Sequence, residues 1–166
     1  MKKIFLSIFL AGLGITISAQ KSIDQKVTEL MAKMTLEEKI GQLNQYNDDI
    51  TATGPVTKDA DKAGQVRAGK LGSILNAIGA KNTKNWQDQA MQSRLKIPLL
   101  FGQDVIHGFR TTFPIPLGET ATWDMNLIEK SARIAAIEAS AYGIHWTFAP
   151  MVDIGRDPRW GRVMEG

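Results

Sequence analysis

Two polar clusters in this sequence each follow an apolar run, and their side chains are of types that bind polyols. Asp104, His107 and Arg110 follow the run that ends at Phe101. The second cluster follows Pro150 and comprises Asp153, Arg156, Asp157, Arg159 and Arg162. An ionised Asp accepts hydrogen bonds from two neighbouring hydroxyl groups, and Arg presents a rigid fork of donors to oxygen atoms. A neutral polyol fits such clusters better than a phosphate, which is typically bound by a glycine-rich loop before a helix.

A purely structural role is an alternative for most of these residues. Asp157 precedes a proline, which favours a turn, and it can form ion pairs with Arg156 and Arg159 that hold the loop. We interpret His107 as a hydrogen-bonded loop residue, because no Ser or Cys nucleophile pattern accompanies it. Asp104 is the exception, since a lone acid at the end of a buried strand costs free energy to desolvate unless something binds it.

The elements that carry these clusters alternate between apolar strands and helical segments, which is typical of a parallel α/β sheet. We predict strands at 71–76, 97–101 and 144–149, with Trp146 in the core. Apolar spacing and capping patterns predict helices at 23–34, from Thr35 with Glu38 onward, and at 58–68, 83–95 and 126–142, with a loop at 46–57. The carboxyl ends of parallel strands share one edge, so both clusters are expected on the edge where ligands bind.

The composition argues against several kinds of site and partner. The sequence contains no cysteine, which excludes disulfides and thiolate metal ligands, and its two histidines lie far apart. We therefore expect no metal site and no cofactor. The formal net charge is +3 and falls to +1 without Lys2 and Lys3, which indicates neither a nucleic-acid partner nor an acidic membrane surface.

The first 19 residues have the pattern of a secretory signal peptide. Two lysines precede an apolar stretch from Ile4 to Ile17, and the small residues Ser18 and Ala19 follow. We predict cleavage after Ala19 and export, to the periplasm or the medium. The stretch is short for a membrane span of about 20 residues, so we expect no membrane span after cleavage.

Three ordered motifs give the sequence a resemblance to a known family. They are MTLEEKIGQL at 34–43, IPLLFGQDVIHGFRTTFPIPLG at 97–118 and FAPMVDIGRDPRWGRVMEG at 148–166. With them, the sequence resembles the N-terminal part of the family-3 glycoside hydrolases, and most closely the periplasmic β-glucosidases among them. The resemblance covers almost all of the chain after residue 19.

The resemblance implies an α/β fold in the form of an incomplete (β/α)₈ TIM-like barrel, roughly its N-terminal half. It also implies hydrolysis of terminal, non-reducing β-D-glucosyl residues with release of β-D-glucose, by a retaining mechanism that uses two carboxyl groups about 5 Å apart. By motif match, Asp104 binds hydroxyls of the terminal sugar, and Arg110 supports that acid or the same sugar. Arg162 reaches the sugar from the second loop. The implied partner is a β-linked oligosaccharide or glucoside.

No catalytic residue is carried over from the family to this chain. The family's Lys-His motif, its Asp nucleophile and its Glu acid/base lie downstream, and Asp124, Asp153 and Glu165 do not match them. We therefore expect 20–166 to be a truncated barrel domain that is inactive alone, since a complete barrel takes roughly 250 residues. A β-xylosidase or exo-glucanase specificity, or a non-catalytic sugar-binding module, remains an alternative. The sequence does not indicate an oligomeric state.

Overall fold

The computed structural model describes residues 20–48 and 61–165. The predicted signal peptide at 1–19 lies outside the described residues, as does most of the predicted loop at 46–57 and the start of the predicted helix at 58–68. The chain divides into two units, residues 1–33 and 34–166. The first unit contains α1 (Ile23–Lys33), whose start is capped reciprocally by Ser22 and Gln25.

The second unit begins with α2 (Leu36–Gln42), and its predicted capping box is confirmed. Thr35 Oγ1 accepts a hydrogen bond from the Glu38 N–H at 3.2 Å, and Glu38 Oε2 accepts one from the Thr35 N–H at 2.9 Å. Two backbone donors that would otherwise lack a partner at the helix start are thereby satisfied.

Within the described part of the second unit, four short parallel strands form a sheet. They are β1 (Gln45–Asn47), β2 (Ser73–Leu75), β3 (Leu100–Gln103) and β4 (Trp146–Thr147). Their spatial order is β1-β2-β3-β4, so every strand lies beside the next one in the sequence. Since parallel crossovers are right-handed, this order places the connecting helices on one face, as in a (β/α)₈ barrel and unlike a doubly wound sheet. The predicted α/β fold with strands in barrel order is confirmed.

The connecting helices are α3 (Lys62–Arg67), α4 (Ala80–Ala90), α5 (Pro116–Thr120) and α6 (Met125–Ala141), and a 3₁₀ turn follows at Val163–Glu165. Three of the four were predicted, with different ends, and α5 was not. The start of α6 also differs from the prediction, which placed a capping pattern at Asn126 with Glu129. Asp124 is the cap, because its carboxylate accepts hydrogen bonds from the N–H groups of Asn126 and Leu127.

Strand β1 contradicts the prediction that the loop begins at Tyr46. Its two outer residues are polar, and side-chain hydrogen bonds satisfy them. Gln45 Nε2 donates to Ser73 Oγ at 3.1 Å, and Asn47 Oδ1 accepts from Asn76 Nδ2 at 2.9 Å. The sequence therefore lacks the apolar run that is typical of a strand.

The core lies between the sheet and the helices, on the face that carries Ile74 of β2 and Phe101 of β3. It is formed by Val66, Leu71, Ile74, Ala77, Ala90, Leu99 and Phe101. The prediction that Trp146 lies in this core is wrong, because 42% of the residue is exposed. Trp146 pairs in register with Gly102, the neighbour of Phe101, and side chains alternate along a strand, so Trp146 lies on the opposite face. There its ring packs against Phe148, with centroids 4.7 Å apart.

Candidate functional site

The candidate site lies at the carboxyl edge of the sheet, where β3 and β4 end side by side. Asp104 directly follows β3, and the Thr147 hydroxyl at the end of β4 donates to the Asp104 carbonyl oxygen at 2.8 Å. The Phe148 N–H donates to the carbonyl oxygen of Gln103 at 3.3 Å. The two loops that the sequence marked as polar clusters therefore start from adjacent points of one edge, as the parallel arrangement predicts.

Asp104 is exposed at this edge, and a hydrogen bond holds its backbone in place. The hydrogen bond from Thr147 fixes its carbonyl group, and the next residue, Val105, has a φ of +49°. A β-branched residue in the left-handed region is uncommon and turns the chain sharply. The chain thus leaves the sheet directly after Asp104, which leaves the carboxylate accessible to a ligand.

The loop after Asp104 closes on itself between His107 and Phe113. The Phe113 N–H donates to the His107 carbonyl oxygen at 2.8 Å, and His107 Nδ1 lies 3.0 Å from the Phe113 carbonyl oxygen, which accepts. The interpretation of His107 as a hydrogen-bonded loop residue is confirmed. Inside this closure, Gly108 has a φ of +104° and pairs with Thr112 in an antiparallel bridge.

Arg110 at the tip of this loop packs on α6. Its guanidinium carbon lies 5.1 Å from the centroid of the Tyr142 ring, and the ring of Phe109 meets the same Tyr142 edge-on at 5.3 Å. Tyr142 directly follows α6 and caps its end. The Arg110 side chain is therefore tied to the helix that precedes β4.

A carboxylate of α6 also holds the loop tip through the backbone. Glu138 accepts hydrogen bonds from the N–H groups of Arg110 and Thr111, both at 2.8 Å, and from the Thr111 hydroxyl at 2.7 Å. These hydrogen bonds lower the pKa of Glu138 from its ordinary value, and the bond from the Thr111 hydroxyl has the largest effect. Glu138 was not predicted as a site residue from the sequence. Its spacing of four residues from Tyr142 places both on one side of a helix, but that pattern alone does not identify a partner.

The loop after β4 contains two separate ion pairs. Arg159 donates from Nε to Asp157 Oδ1 at 2.9 Å and from Nη2 to Asp157 Oδ2 at 2.5 Å, which lowers the pKa of Asp157. The structural interpretation of Asp157 and Arg159 is thereby confirmed. Arg156 is exposed and takes no part in this pair.

Arg162 forms the second ion pair, with Glu165 three residues later. Its Nε and Nη2 donate to the Glu165 carboxylate at 2.9 and 2.5 Å. This contact raises the pKa of Arg162, and the negative charges of Asp104 and Asp153 add smaller contributions. The structure thus brings Arg162 and Asp104 within electrostatic range, while the direct contact of Arg162 is to Glu165.

A buried carboxylate supports the same edge of the sheet next to β1. Asp48 follows β1 and is 1% exposed. It accepts hydrogen bonds from Asn82 Nδ2 at 2.8 Å and from Trp86 Nε1 at 3.2 Å, both on α4. Because a buried carboxylate needs such donors, Asp48 fixes α4 against the end of β1.

A cavity of about 580 Å³ lies between α6, β4 and the loop after β3, and His107 of the first polar cluster is among its lining residues. Its lining is mostly apolar and includes Ile128, Ala135, Ala139, Ile144 and Trp146. Asp104, Arg110 and Arg162 are not among its lining residues. The cavity therefore adjoins the loop that follows Asp104.

The described residues contain neither a cluster of metal ligands nor a membrane-spanning helix. Within 20–48 and 61–165, no three His, Asp or Glu side chains are grouped so that they could hold a metal ion. Over the same ranges, the helices are too short or too polar to cross a lipid bilayer.

Comparison with known proteins places the chain in a family. The sequence model of the glycosyl hydrolase family 3 N terminal domain matches residues 35–166. The chain belongs to glycosyl hydrolase family 3. The match includes both polar loops and all four described strands, which confirms the resemblance drawn from the three motifs.

Individual family 3 proteins are similar over most of this chain. A periplasmic β-glucosidase from Salmonella typhimurium is 43% identical over 144 residues, which are 86% of this chain and 18% of the relative. The crystal structure of a β-glucosidase from Listeria innocua in complex with isofagomine has a TM-score of 0.75 and 42% identity, over 85% of this chain and 20% of that one. A β-xylosidase from Formosa agariphila is 25% identical over 185 residues, 99% of this chain and 20% of the relative. The chain thus spans about a fifth of the length of these family 3 relatives.

Proposed function

We propose that the intact protein that carries this chain hydrolyses terminal, non-reducing β-D-glucosyl residues and releases β-D-glucose with retention of configuration. In this proposal, Asp104 and Arg162 bind hydroxyl groups of the terminal glucose. Arg110 supports Asp104 through the loop that both residues share. The substrate is a β-linked oligosaccharide or glucoside.

One observation carries the proposal: Asp104 and the loop of Arg162 start from adjacent strands at the ligand-binding edge of a parallel sheet. Asp104 is exposed, its backbone is fixed by Thr147, and Arg162 lies within range of its charge. An acceptor and a fork of donors on one rim can hold neighbouring hydroxyl groups of one sugar ring. Membership of family 3 and the similarity to two β-glucosidases support glucose as that sugar.

The proposed contribution of this chain to catalysis is binding and orientation of the sugar. Retaining hydrolysis needs a carboxylate nucleophile and a carboxylic acid about 5 Å apart, and we assign neither role to a residue of this chain. A hydrogen bond from a sugar hydroxyl to Asp104 accelerates the reaction to the extent that it is stronger in the transition state than in the bound substrate.

The experiment uses the purified intact protein with 4-nitrophenyl β-D-glucopyranoside. We expect release of nitrophenol, and NMR spectra recorded at early times should show the β-anomer of glucose before mutarotation. Early appearance of the α-anomer would contradict the retaining mechanism. Binding of glucosides without any release of nitrophenol would contradict the hydrolase assignment and favour a sugar-binding module.

A β-xylosidase specificity is the second candidate, and the similarity to the Formosa agariphila β-xylosidase supports it. The same protein should be measured with 4-nitrophenyl β-D-xylopyranoside. We expect kcat/KM for the glucoside to exceed that for the xyloside, and the reverse order would overturn the assignment to glucose.

We also propose that the protein is exported, with cleavage after Ala19. The apolar N-terminal stretch and the similarity to a periplasmic β-glucosidase support this proposal. Fractionation of the producing cells should find the protein in the periplasm or the medium, and N-terminal sequencing should start at Gln20. An uncleaved cytoplasmic product would contradict it.

A further inference from the structure

Glu138 makes a set of contacts that the proposed function does not use. It lies on α6, 27 and 28 positions from the two residues that it binds. Its two carboxylate oxygens accept three hydrogen bonds from Arg110 and Thr111, two of them from consecutive backbone N–H groups. Hydrogen bonds to an ionised acceptor are roughly twice as strong as neutral ones. One side chain of a helix thus fixes the tip of a loop that is remote in the sequence.

The loop between Asp104 and this tip is closed by further contacts. His107 and Phe113 exchange hydrogen bonds across the loop, and Gly108 pairs with Thr112. At the base, the Thr147 hydroxyl holds the carbonyl group of Asp104. The loop is therefore attached at two points, the base to β4 and the tip to α6.

We propose that Glu138 is a positioning residue for sugar binding: it holds the 105–113 loop against α6 so that Asp104 keeps the orientation in which it accepts sugar hydroxyls. The expected effect on sugar binding rests on the proposed function, and the attachment of the loop to α6 rests on the three hydrogen bonds to Glu138. Glu138 itself does not contact Asp104 in this arrangement. It acts through the backbone of Arg110 and Thr111, while packing of the Arg110 guanidinium on Tyr142 keeps the loop on the same helix.

The test compares four variants of the intact protein. Glu138→Ala removes all three hydrogen bonds, and Glu138→Gln keeps one oxygen that can accept. Thr111→Val removes only the hydroxyl donor. Glu129→Ala is the matched control, because Glu129 is an exposed carboxylate on the same helix for which the structure shows no contact with the loop.

The first measurement is backbone amide hydrogen exchange, which does not depend on activity. In Glu138→Ala, we expect the amides of Arg110 and Thr111 to exchange about tenfold faster or more, while amides of the core strands are unchanged. Glu138→Gln and Thr111→Val should give intermediate increases, and Glu129→Ala none. Wild-type exchange at Arg110 and Thr111 in Glu138→Ala would overturn the proposal, as would an equal increase throughout the domain.

The second measurement separates kcat from KM on the aryl glucoside. We expect Glu138→Ala to raise KM about tenfold with a smaller change in kcat, and Glu138→Gln to restore part of the affinity. An unchanged KM in an active Glu138→Ala protein would overturn the positioning role and leave the glucosidase assignment intact. If the wild-type protein cleaves no glucoside, the proposed function fails, and the exchange measurement alone decides whether Glu138 fixes the loop.

Discussion

The guanidinium of Arg94 donates two parallel hydrogen bonds to the carboxylate of Glu38 and joins α2 to the segment after α4. The Nε–Oε1 distance is 3.0 Å and the Nη2–Oε2 distance is 2.5 Å. Glu38 is 8% exposed and also accepts the N–H of Thr35. The bond from Arg94, followed by that from Thr35, lowers the pKa of Glu38 from its ordinary value of 4.5.

The lowered pKa of Glu38 predicts a dependence of stability on pH. A carboxyl group with a lower pKa in the folded state stabilises the fold above its unfolded pKa, and the stabilisation is lost as the pH falls through the folded value. We expect Glu38→Gln to lower the Tm by a few degrees at neutral pH. The difference from the wild type should shrink as the pH falls below about 4.5.

Thermal melts at a series of pH values check this prediction. Glu37→Gln is the control, because Glu37 lies in the same first turn without the bonds to Arg94. The interpretation would be wrong if Glu37→Gln and Glu38→Gln lowered the Tm equally, or if the Glu38→Gln difference grew in acid.

Asp104→Asn tests the proposed hydroxyl acceptor. Loss of the charge weakens the hydrogen bonds to the sugar, and we expect kcat/KM for the aryl glucoside to fall about a hundredfold or more. Asp88→Asn, which changes an exposed carboxylate paired with Lys84 on α4, should leave kcat/KM within about twofold. Wild-type kinetics of Asp104→Asn would exclude Asp104 from the sugar site.

Arg162 and Arg159 lie in one loop, and we predict opposite outcomes for them. Arg162→Met removes a proposed donor to the sugar and should raise KM about tenfold or more. Arg159→Met breaks only the exposed pair with Asp157 and should leave KM within about twofold. Steady-state kinetics of the two variants, with melts to confirm folding, distinguish the roles. Equal effects would show that both substitutions act by disturbing the structure of the loop.

Gly108→Ala tests the conformation of the 105–113 loop. A Cβ at Gly108 would lie 1.9 Å from the Thr111 carbonyl oxygen, so the loop must rearrange, and we expect KM to rise about tenfold. Gly79→Ala is the control, since Gly79 also has a positive φ but open space around it. It should cost about 1–2 kcal/mol of stability without changing KM. A Gly108→Ala protein with unchanged KM would show that sugar binding does not depend on this loop.

Much of the fold follows from local patterns in the sequence. Apolar runs and helical spacing locate β2, β3, β4 and most helices, and the capping box at Thr35 is visible as a motif. Strand β1 was not predicted because its polar side chains form their hydrogen bonds across the sheet, with residues that are far away in the sequence. The position of Trp146 also depends on sheet register, because a shift of one residue moves a side chain to the other face.

The sequence predicts those features of the site that depend on where the strands end. A parallel sheet places the ends of β3 and β4 on one edge, so the proximity of Asp104 to the second loop follows from the fold class. The contact partners of the individual side chains do not follow from the fold class. Packing of Arg110 on Tyr142 and the pairing of Arg162 with Glu165 depend on how the loops turn after leaving the sheet.

Two of the three hydrogen bonds to Glu138 come from the main chain, and main-chain donors are common to every amino acid except proline. The residues at 110 and 111 can therefore change in evolution or in a designed library while the loop keeps its attachment to α6. A change of side chain at either position therefore keeps the two main-chain hydrogen bonds and removes only the side-chain contacts, which are the Thr111 hydroxyl bond and the packing of Arg110 on Tyr142. Proline is the one substitution that this arrangement forbids at both positions.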